Sequence, residues 1–218
     1  MTESLSLSFQ VAAVATLLAA VFGVLFAEAL SRRPFPGRDL VDVLITAPMV
    51  LQPTVLGYYL LVLIGRSSAI GRAFEAATGT SIVFTKTGAI VAALVGAFPI
   101  VVKSSRAALE AVDSDLLRAA RTLGAGPVRT FLTVRLPLAQ RGIVAAVMLA
   151  FAKSLGDFGV TLMIAGNIPG RTQTAALAIY DAIQSQRDEE AVAMVVILTG
   201  TALVTLYVVN KLTHRVDV

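Results

Sequence analysis

The chain has 218 residues, of which 56% are hydrophobic and only 15% are charged, and it contains no cysteine. A soluble domain of this length would need a far more charged surface, whereas apolar runs of about 18 residues or more are typical of membrane-spanning helices. The composition therefore excludes an ordinary soluble domain and any thiolate metal site. It predicts an all-α integral membrane protein.

Five charge-poor runs predict the membrane spans. The first is too long for a cleaved signal peptide and no Lys or Arg precedes it, so we expect it to remain as a span. Lys153 and Asp157 interrupt the fourth run. Between Arg171 and Asp181 the uncharged stretch is too short to cross a membrane, and it predicts a peripheral or re-entrant helix. In chain order the five runs are residues 4–27, 43–65, 87–102 (extended back to about 82), 138–165 and 191–210.

The basic residues predict the orientation. With five spans, twelve Lys and Arg residues fall on one side of the membrane and five on the other, and the richer side is expected to be cytoplasmic. The N-terminus then lies outside and the C-terminus inside, in a cell membrane. The basic side faces anionic lipid and cytoplasmic partners, so no nucleic-acid partner is needed to explain it. The twelve are Arg32, Arg33, Arg38, Lys103, Arg106, Arg118, Arg121, Arg129, Arg135, Arg141, Lys211 and Arg215; the five are Arg66, Arg72, Lys86, Arg171 and Arg187.

Residues 118–137 read RAARTLGAGPVRTFLTVRLP and lie in the longest predicted cytoplasmic loop. Asp113 or Ser114 is a suitable N-cap for a helix at the start of this stretch. Gly124 would end that helix in a left-handed turn, and Pro127 would start a second helix at the position that proline favours. The pattern predicts a helix, a glycine turn and a second helix.

Two interpretations of this loop follow from the residues alone. Ala119 and Ala120 offer little bulk, which would let another protein approach the first helix closely. Alternatively, the loop is an amphipathic linker that lies on anionic lipid headgroups. The residues do not favour one of these over the other.

The same stretch resembles the cytoplasmic coupling loop of permeases from binding-protein-dependent ABC importers. That pattern is Glu-Ala-Ala, three residues, Gly, nine residues and Ile-x-Leu-Pro. In the family, the first short helix docks into a cleft on a cytoplasmic ATPase subunit, and the resemblance implies a coupling loop over about residues 108–137. We expect Ala119, Ala120, Gly124 and Phe131 to transmit force between the ATPase and the pore. The matches are Ala119, Ala120, Gly124, Leu136 and Pro137; the departures are Arg118 for Glu and Val134 for Ile.

The resemblance covers about residues 8 to 212. Within the family, the chain resembles the molybdate permeases in particular. Sulfate permeases share a form of the 149–170 segment, so sulfate and tungstate remain alternative substrates. Departures are Gln52, where relatives often have a second proline, Asp157 for Glu and Val160 for Ala. The segments that carry the resemblance are 34–38, 47–61, 149–174 and 178–184.

The resemblance also implies an assembly and a fold. The chain would form a single membrane domain over residues 1–218, with the type I importer permease fold. Two copies would enclose the pathway, two ATPase subunits would bind ATP and Mg beneath them, and an external binding protein would deliver the oxyanion. This chain itself would hold no cofactor.

The sequence lacks the parts of an enzyme active site. It has no G-x-x-x-x-G-K-[ST] loop, so the chain has no P-loop with which to hydrolyse ATP. His214 is the only histidine, which leaves no Ser/His/Asp set and no histidine metal cluster. We therefore expect no catalytic residue and no metal site here.

The polar residues of the second and fourth runs are candidates for the pathway. Lys153 and Asp157 are four residues apart and are expected to share a helix face and to neutralise one another. One interpretation is a structural ion pair; another is a hinge or gate element. We predict a pathway lined mainly by uncharged groups, because a fixed unpaired lysine would hold a dianion too strongly. The candidates are Gln52, Thr54, Ser154 and Thr161.

Two classes of function remain at this point. The first is the membrane subunit of an ATP-driven oxyanion importer. The second is a secondary transporter or channel, in which Lys153 and Asp157 would provide coupling or selectivity. Secondary transporters often contain internal repeats, and the five runs show no convincing repeat. Persistence of transport without a cytoplasmic ATPase would distinguish the second class from the first.

Overall fold

The structure is a computed structural model that describes residues 2–31 and 35–213, apart from the side chains of residues 212 and 213. Within these ranges every regular element is a helix. Arg32, Arg33 and Arg215, which contribute to the predicted orientation, and the single histidine, His214, lie outside the described residues.

Eleven α-helices and one π-helical turn make up the described chain. The π-helical turn joins α7 to α8 and is called the π segment. In order the elements are α1 (Thr2–Ser31), α2 (Arg38–Val50), α3 (Pro53–Ile64), α4 (Ala69–Thr78), α5 (Lys86–Glu110), α6 (Ser114–Thr122), α7 (Pro127–Thr130), the π segment (Phe131–Arg135), α8 (Leu136–Leu155), α9 (Gly159–Ala165), α10 (Ala175–Gln184) and α11 (Asp188–Thr213).

Four helical stretches of the described chain are long and apolar enough to cross a membrane: α1, α5, the run Pro127–Leu155, and α11. The first, third and fifth predicted spans are therefore confirmed as long apolar helices. The third begins at Lys86 and not near residue 82, because the Thr85 side chain caps α5 by accepting a hydrogen bond from the Gly88 amide.

The second predicted span, 43–65, is divided into two helices. α2 ends at Val50 and α3 begins at Pro53, with extended backbone between them. The cause is local, because Pro53 has no amide hydrogen and its ring disfavours helical backbone at Gln52. α3 and α4 together are bent by 62° and form either a broken fifth span or a re-entrant loop.

The fourth predicted span, 138–165, also differs from the structure. The helix starts earlier, at Pro127, and runs through the π segment into α8, so Pro137 lies in the first turn of α8 and does not precede the span. It stops at Leu155, and α9 begins only at Gly159. We refer to residues 51–52 and 156–158 as the two helix breaks.

α1, α5 and α8 pack closely through small residues. A Cβ added to Gly23 of α1 would lie 2.8 Å from a Val101 methyl on α5, and one added to Gly142 of α8 would lie 2.6 Å from the Ala108 Cβ. Such contacts let helix backbones approach closely in a membrane, where packing drives association. These three helices form the central bundle of the described chain.

The predicted short helix near 171–181 is present as α10. It packs on the start of α11 through a cluster of Ala178, Ala182, Ala191 and Met194. Much of the rest of α11 is exposed, including Val196, Leu203 and Tyr207. α11 therefore offers a long apolar surface to lipid or to another membrane helix.

Candidate functional site

The loop between α5 and α8 has the predicted helix, glycine turn and second helix. The Asp113 carboxylate accepts a hydrogen bond from the Asp115 amide at 2.8 Å and caps α6. Gly124 has φ of 82°, in the left-handed region, where a side chain would be strained. Pro127 occupies the first turn of α7.

α6 presents a free surface. Within the described chain none of its residues is buried, Ala119 and Gly124 are exposed, and Ala120 is half-buried. Beside them, Leu123 is 88% exposed and Leu116 is 49% exposed. Sequence reasoning did not single out these two leucines. Their exposure next to two alanines is typical of a surface that another protein covers.

Phe131 and Leu136 have a different position from the α6 residues. Phe131 is buried in a cluster with Ala27, Leu109 and Ala139, and Leu136 packs against the same cluster. These two side chains thus attach the loop to the membrane helices and are not available to dock a partner. Pro137 is exposed.

A buried ion pair beneath the loop was missed by sequence reasoning. Arg135, at the end of the π segment, donates a hydrogen bond to the Glu28 carboxylate at 2.6 Å and another to the Leu109 carbonyl oxygen at 3.1 Å. The side chains of Arg135 and Glu28 are only 12% and 9% exposed. Glu28 follows directly on the first apolar run, which was the only signal available.

A second charged network joins α2 to α5 on the same side of the bundle. Asp42 accepts hydrogen bonds from Lys103 at 2.6 Å and from Arg106 at 3.3 Å, and Arg106 also pairs with Glu110 at 2.8 Å. The hydrogen bond from Lys103 lowers the pKa of the Asp42 carboxyl below its ordinary value. Asp42 is therefore ionised at neutral pH and holds α2 against α5.

The two helix breaks lie side by side. A Cβ added to Gly159 would lie 2.6 Å from the Pro53 Cβ, and one added to Gly57 would lie 2.7 Å from the Met163 Cβ. Two glycines, one on each helix, thus allow α3 and α9 to pack in direct contact. The polar groups of both interruptions are brought to one region of the bundle.

The four candidate pathway residues separate into two pairs. Gln52 and Thr54 are exposed at the start of α3. Ser154 and Thr161 are buried within the chain, at 6% and 1% exposure. In this structure, therefore, only Gln52 and Thr54 of the four reach a surface.

Asp157 lies in the second break and not on a helix with Lys153. The expected ion pair is present, but it does not lie on one continuous helix face, since α8 ends between the two residues. The Asp157 carboxylate accepts hydrogen bonds from the Thr161 hydroxyl at 2.6 Å and amide at 3.1 Å, while the Lys153 ammonium is 3.8 Å away. Asp157 is buried, whereas Lys153 is half-exposed.

The described chain thus contains an exposed short helix, a buried ion pair and interrupted membrane helices. Residues 11–217 match the family described as the inner membrane component of binding-protein-dependent transport systems. The chain belongs to this family.

Relatives within the permease family include two with named substrates. The chain is 42% identical over 207 residues to the molybdenum transport system permease protein ModB of Escherichia coli (strain K12), covering 94% of this chain and 90% of that protein. It is 34% identical over 202 residues to the sulfate transport system permease protein CysT of Salmonella typhimurium, covering 93% and 73%.

A solved structure shows the same fold. A chain of a bacterial ABC transporter involved in the import of the acidic polysaccharide alginate superimposes with a TM-score of 0.75, covering 100% of this chain and 80% of that one, at 13% identity. The predicted all-α fold of a type I importer permease is thereby confirmed, and the chain is a multi-pass membrane protein.

Proposed function

We propose that this chain is the membrane-spanning subunit of an ATP-driven importer that moves molybdate, a tetrahedral oxyanion, into the cytoplasm. The exposed α6 surface, with Ala119, Ala120 and Gly124 in the spacing of a coupling loop, is the observation that carries the proposal. Similarity to the E. coli molybdenum permease supports the choice of oxyanion. Sulfate is the second candidate because of the similarity to the Salmonella sulfate permease.

The functions that this chain lacks indicate which partner subunits it needs. It has no P-loop sequence, so ATP and Mg would be bound by two separate cytoplasmic subunits, one docked on each α6. The exposed apolar surfaces of α3 and α11 would face lipid and a second copy of the chain, and the two copies would enclose the pathway. An external binding protein would deliver the oxyanion.

Contacts at the two ends of α1 support an orientation with the N-terminus outside. Near its start, the Ser8 hydroxyl accepts a hydrogen bond from the Ala175 amide at 2.6 Å, which puts the N-terminal end beside the start of α10. Near its end, Glu28 pairs with Arg135 of the coupling loop. The coupling loop and the N-terminal end therefore lie at opposite ends of the bundle, as an external N-terminus and a cytoplasmic ATPase require.

The proposed pathway uses fewer of the candidate residues than the sequence predicted. Gln52 and Thr54 are the uncharged polar side chains that would meet the oxyanion, at the first helix break. Asp157 fixes the second break by accepting hydrogen bonds from the amide and hydroxyl of Thr161 in the first turn of α9, and Lys153 balances part of its charge. A dianion then passes neutral donors, which bind it weakly enough for release. Specificity would reside chiefly in the external binding protein.

The experiment is to purify the complex of this chain with its ATPase subunits in lipid nanodiscs and to add its binding protein loaded with molybdate, tungstate or sulfate. We expect molybdate-loaded binding protein to stimulate ATP hydrolysis more than the sulfate-loaded form. The matched control is the same binding protein without an oxyanion. Stimulation by sulfate alone would reassign the substrate, and the absence of stimulation by any of the three would contradict the proposal.

A further inference from the structure

Two short links join α6 to the membrane helices: residues 111–113 follow α5, and α7 with the π segment leads to α8. α6 packs mainly against α7 and the π segment, and α7 leads directly into the π segment. A displacement of α6 towards α8 therefore passes through residues Phe131–Arg135. The backbone of this segment has the wide π-helical turn, with the Leu136 amide bonded to the Phe131 carbonyl, and such turns occur frequently at functional sites.

Arg135 joins this segment to two other helices at once. Its guanidinium bonds the Glu28 carboxylate near the end of α1 and the Leu109 carbonyl near the end of α5. Glu28 is itself held, because the Ser31 hydroxyl lies 3.4 Å from the same carboxylate oxygen and donates to the Glu28 carbonyl at 3.0 Å. The π segment, α1 and α5 therefore meet at a single side chain.

The chemistry of this contact suits a fixed link. Phe131 also touches α1 and α5, but an apolar side chain can slide along its neighbours without losing much free energy. A buried charge-assisted hydrogen bond is short and directional, and separating its partners would leave two uncompensated charges away from water. The Arg135 contacts thus resist relative movement of the three elements far more than the apolar contacts do.

We propose that Arg135 and Glu28 are positioning residues that make the coupling loop move as one body with α1 and α5. This inference rests on the proposed function above. Without the pair, α1 and α5 would follow a displacement of α6 only through residues 111–113 and the apolar contacts of Phe131. With the pair, the displacement reaches α5, which contacts the second helix break: a Cβ added to Gly88 would lie 3.1 Å from Ile164 of α9, and one added to Gly96 would lie 3.9 Å from Asp157.

The test uses cysteine chemistry, because the natural chain has no cysteine. In the complex with its ATPase subunits and molybdate-loaded binding protein, Glu28→Cys and Arg135→Cys are combined, so that both buried charges are removed together and no uncompensated charge remains. Copurification of the ATPase subunits and the thermal unfolding midpoint report assembly. The decisive readout is the ratio of molybdate accumulated to ATP hydrolysed in proteoliposomes.

We expect the double cysteine variant to hydrolyse ATP but to accumulate about tenfold less molybdate for each ATP than the natural chain. A short bifunctional thiol reagent that joins the two cysteines should restore most of the ratio, which a merely stabilising role would not predict. Natural coupling before cross-linking, or no recovery after it in a chain shown by mass to be cross-linked, would overturn the proposal.

A second variant covers the case in which the double cysteine chain does not assemble. Glu28→Gln keeps the size of the side chain and an acceptor oxygen, and it should assemble yet show a lowered ratio; an unchanged ratio would overturn the proposal. The matched control is Asp42→Asn, which removes two ion pairs between α2 and α5, one of them of the same 2.6 Å length. It should retain coupling, and an equal loss there would show that the effect is not specific to the Arg135 link.

Failure of the proposed function would be recognised separately. In that case the natural complex itself would show no molybdate-dependent ATP hydrolysis. The proposed function and the role of Arg135 and Glu28 would then both be overturned. Molybdate-dependent hydrolysis in the natural complex, together with full coupling in both the double cysteine and Glu28→Gln variants, would leave the function standing and overturn only the role of Arg135 and Glu28.

Discussion

Gly159 lies against Pro53, so that a Cβ added to the glycine would come 2.6 Å from the proline Cβ. Pro53 starts α3 after the first helix break, and Gly159 starts α9 after the second. The contact therefore joins the two interruptions, and any movement that opens a passage beside Gln52 must also change the position of α9.

Gly159→Ala should disturb this contact. The added methyl would overlap Pro53, and overpacking of this kind costs about 1–3 kcal/mol. We expect the variant to insert but to unfold at a lower temperature and to transport more slowly. Gly200→Ala is the control, because a Cβ at Gly200 would meet nothing within 4 Å. Identical unfolding midpoints for the two variants would show that the contact is not tight in the membrane.

Gly124→Val tests the coupling loop. The left-handed backbone at Gly124 would be strained by a β-branched side chain by at least ~1 kcal/mol, which should reorient α6 relative to α7. Insertion should be normal, whereas ATPase binding or molybdate uptake should fall. Gly126→Val is the control, since Gly126 has extended backbone and open space around it. Natural uptake by Gly124→Val would refute the assignment of this loop to coupling.

The Lys153–Asp157 pair can be tested by a double-mutant cycle on uptake. Asp157→Asn removes the charge that accepts two hydrogen bonds from Thr161 in the first turn of α9 and leaves Lys153 unbalanced, so assembly or gating should be damaged. Adding Lys153→Gln should recover part of the loss. If Lys153→Gln alone abolished uptake in a normally assembled complex, and the second change gave no rescue, the lysine would be a direct contact of the anion.

The orientation can be tested with reporter fusions. Fusions after Ser81, Leu123 and Gln173 should report outside, inside and outside, because the basic residues are concentrated around the coupling loop. The Ser4 hydroxyl lies 3.5 Å from the Gln173 side chain, so the fusion at Gln173 should agree with the side of the N-terminus. A cytoplasmic signal at Gln173 would require another span and contradict the topology.

Local signals allowed much of the fold to be predicted. The cap at Asp113, the turn at Gly124 and the helix start at Pro127 depend on side chains a few residues apart, and the structure has all three. The long apolar helices depend only on composition. Hydropathy predicted continuous spans through both helix breaks, because apolar residues flank them and the proline and glycine signals there are also compatible with simple kinks.

Contacts between distant residues could not be predicted. Glu28 and Arg135 are 107 positions apart, and no local pattern relates them. For the same reason, polarity alone placed Ser154 and Thr161 in the pathway, although the structure buries both inside the chain. The Thr161 hydroxyl donates a hydrogen bond to the Asp157 carboxylate, and only the position of α9 in the structure reveals this partner.

In the proposed function, ATP hydrolysis on separate subunits drives oxyanion import through this chain. The most direct measurement is accumulation of radioactive molybdate by proteoliposomes that contain the complete complex, molybdate-loaded binding protein on the side of the N-terminus and ATP on the side of the coupling loop. We predict accumulation above the external concentration that stops when the ATPase subunits carry a substitution that abolishes hydrolysis. Equal accumulation with the inactive ATPase, driven by an ion gradient alone, would contradict the proposed function and identify a secondary transporter.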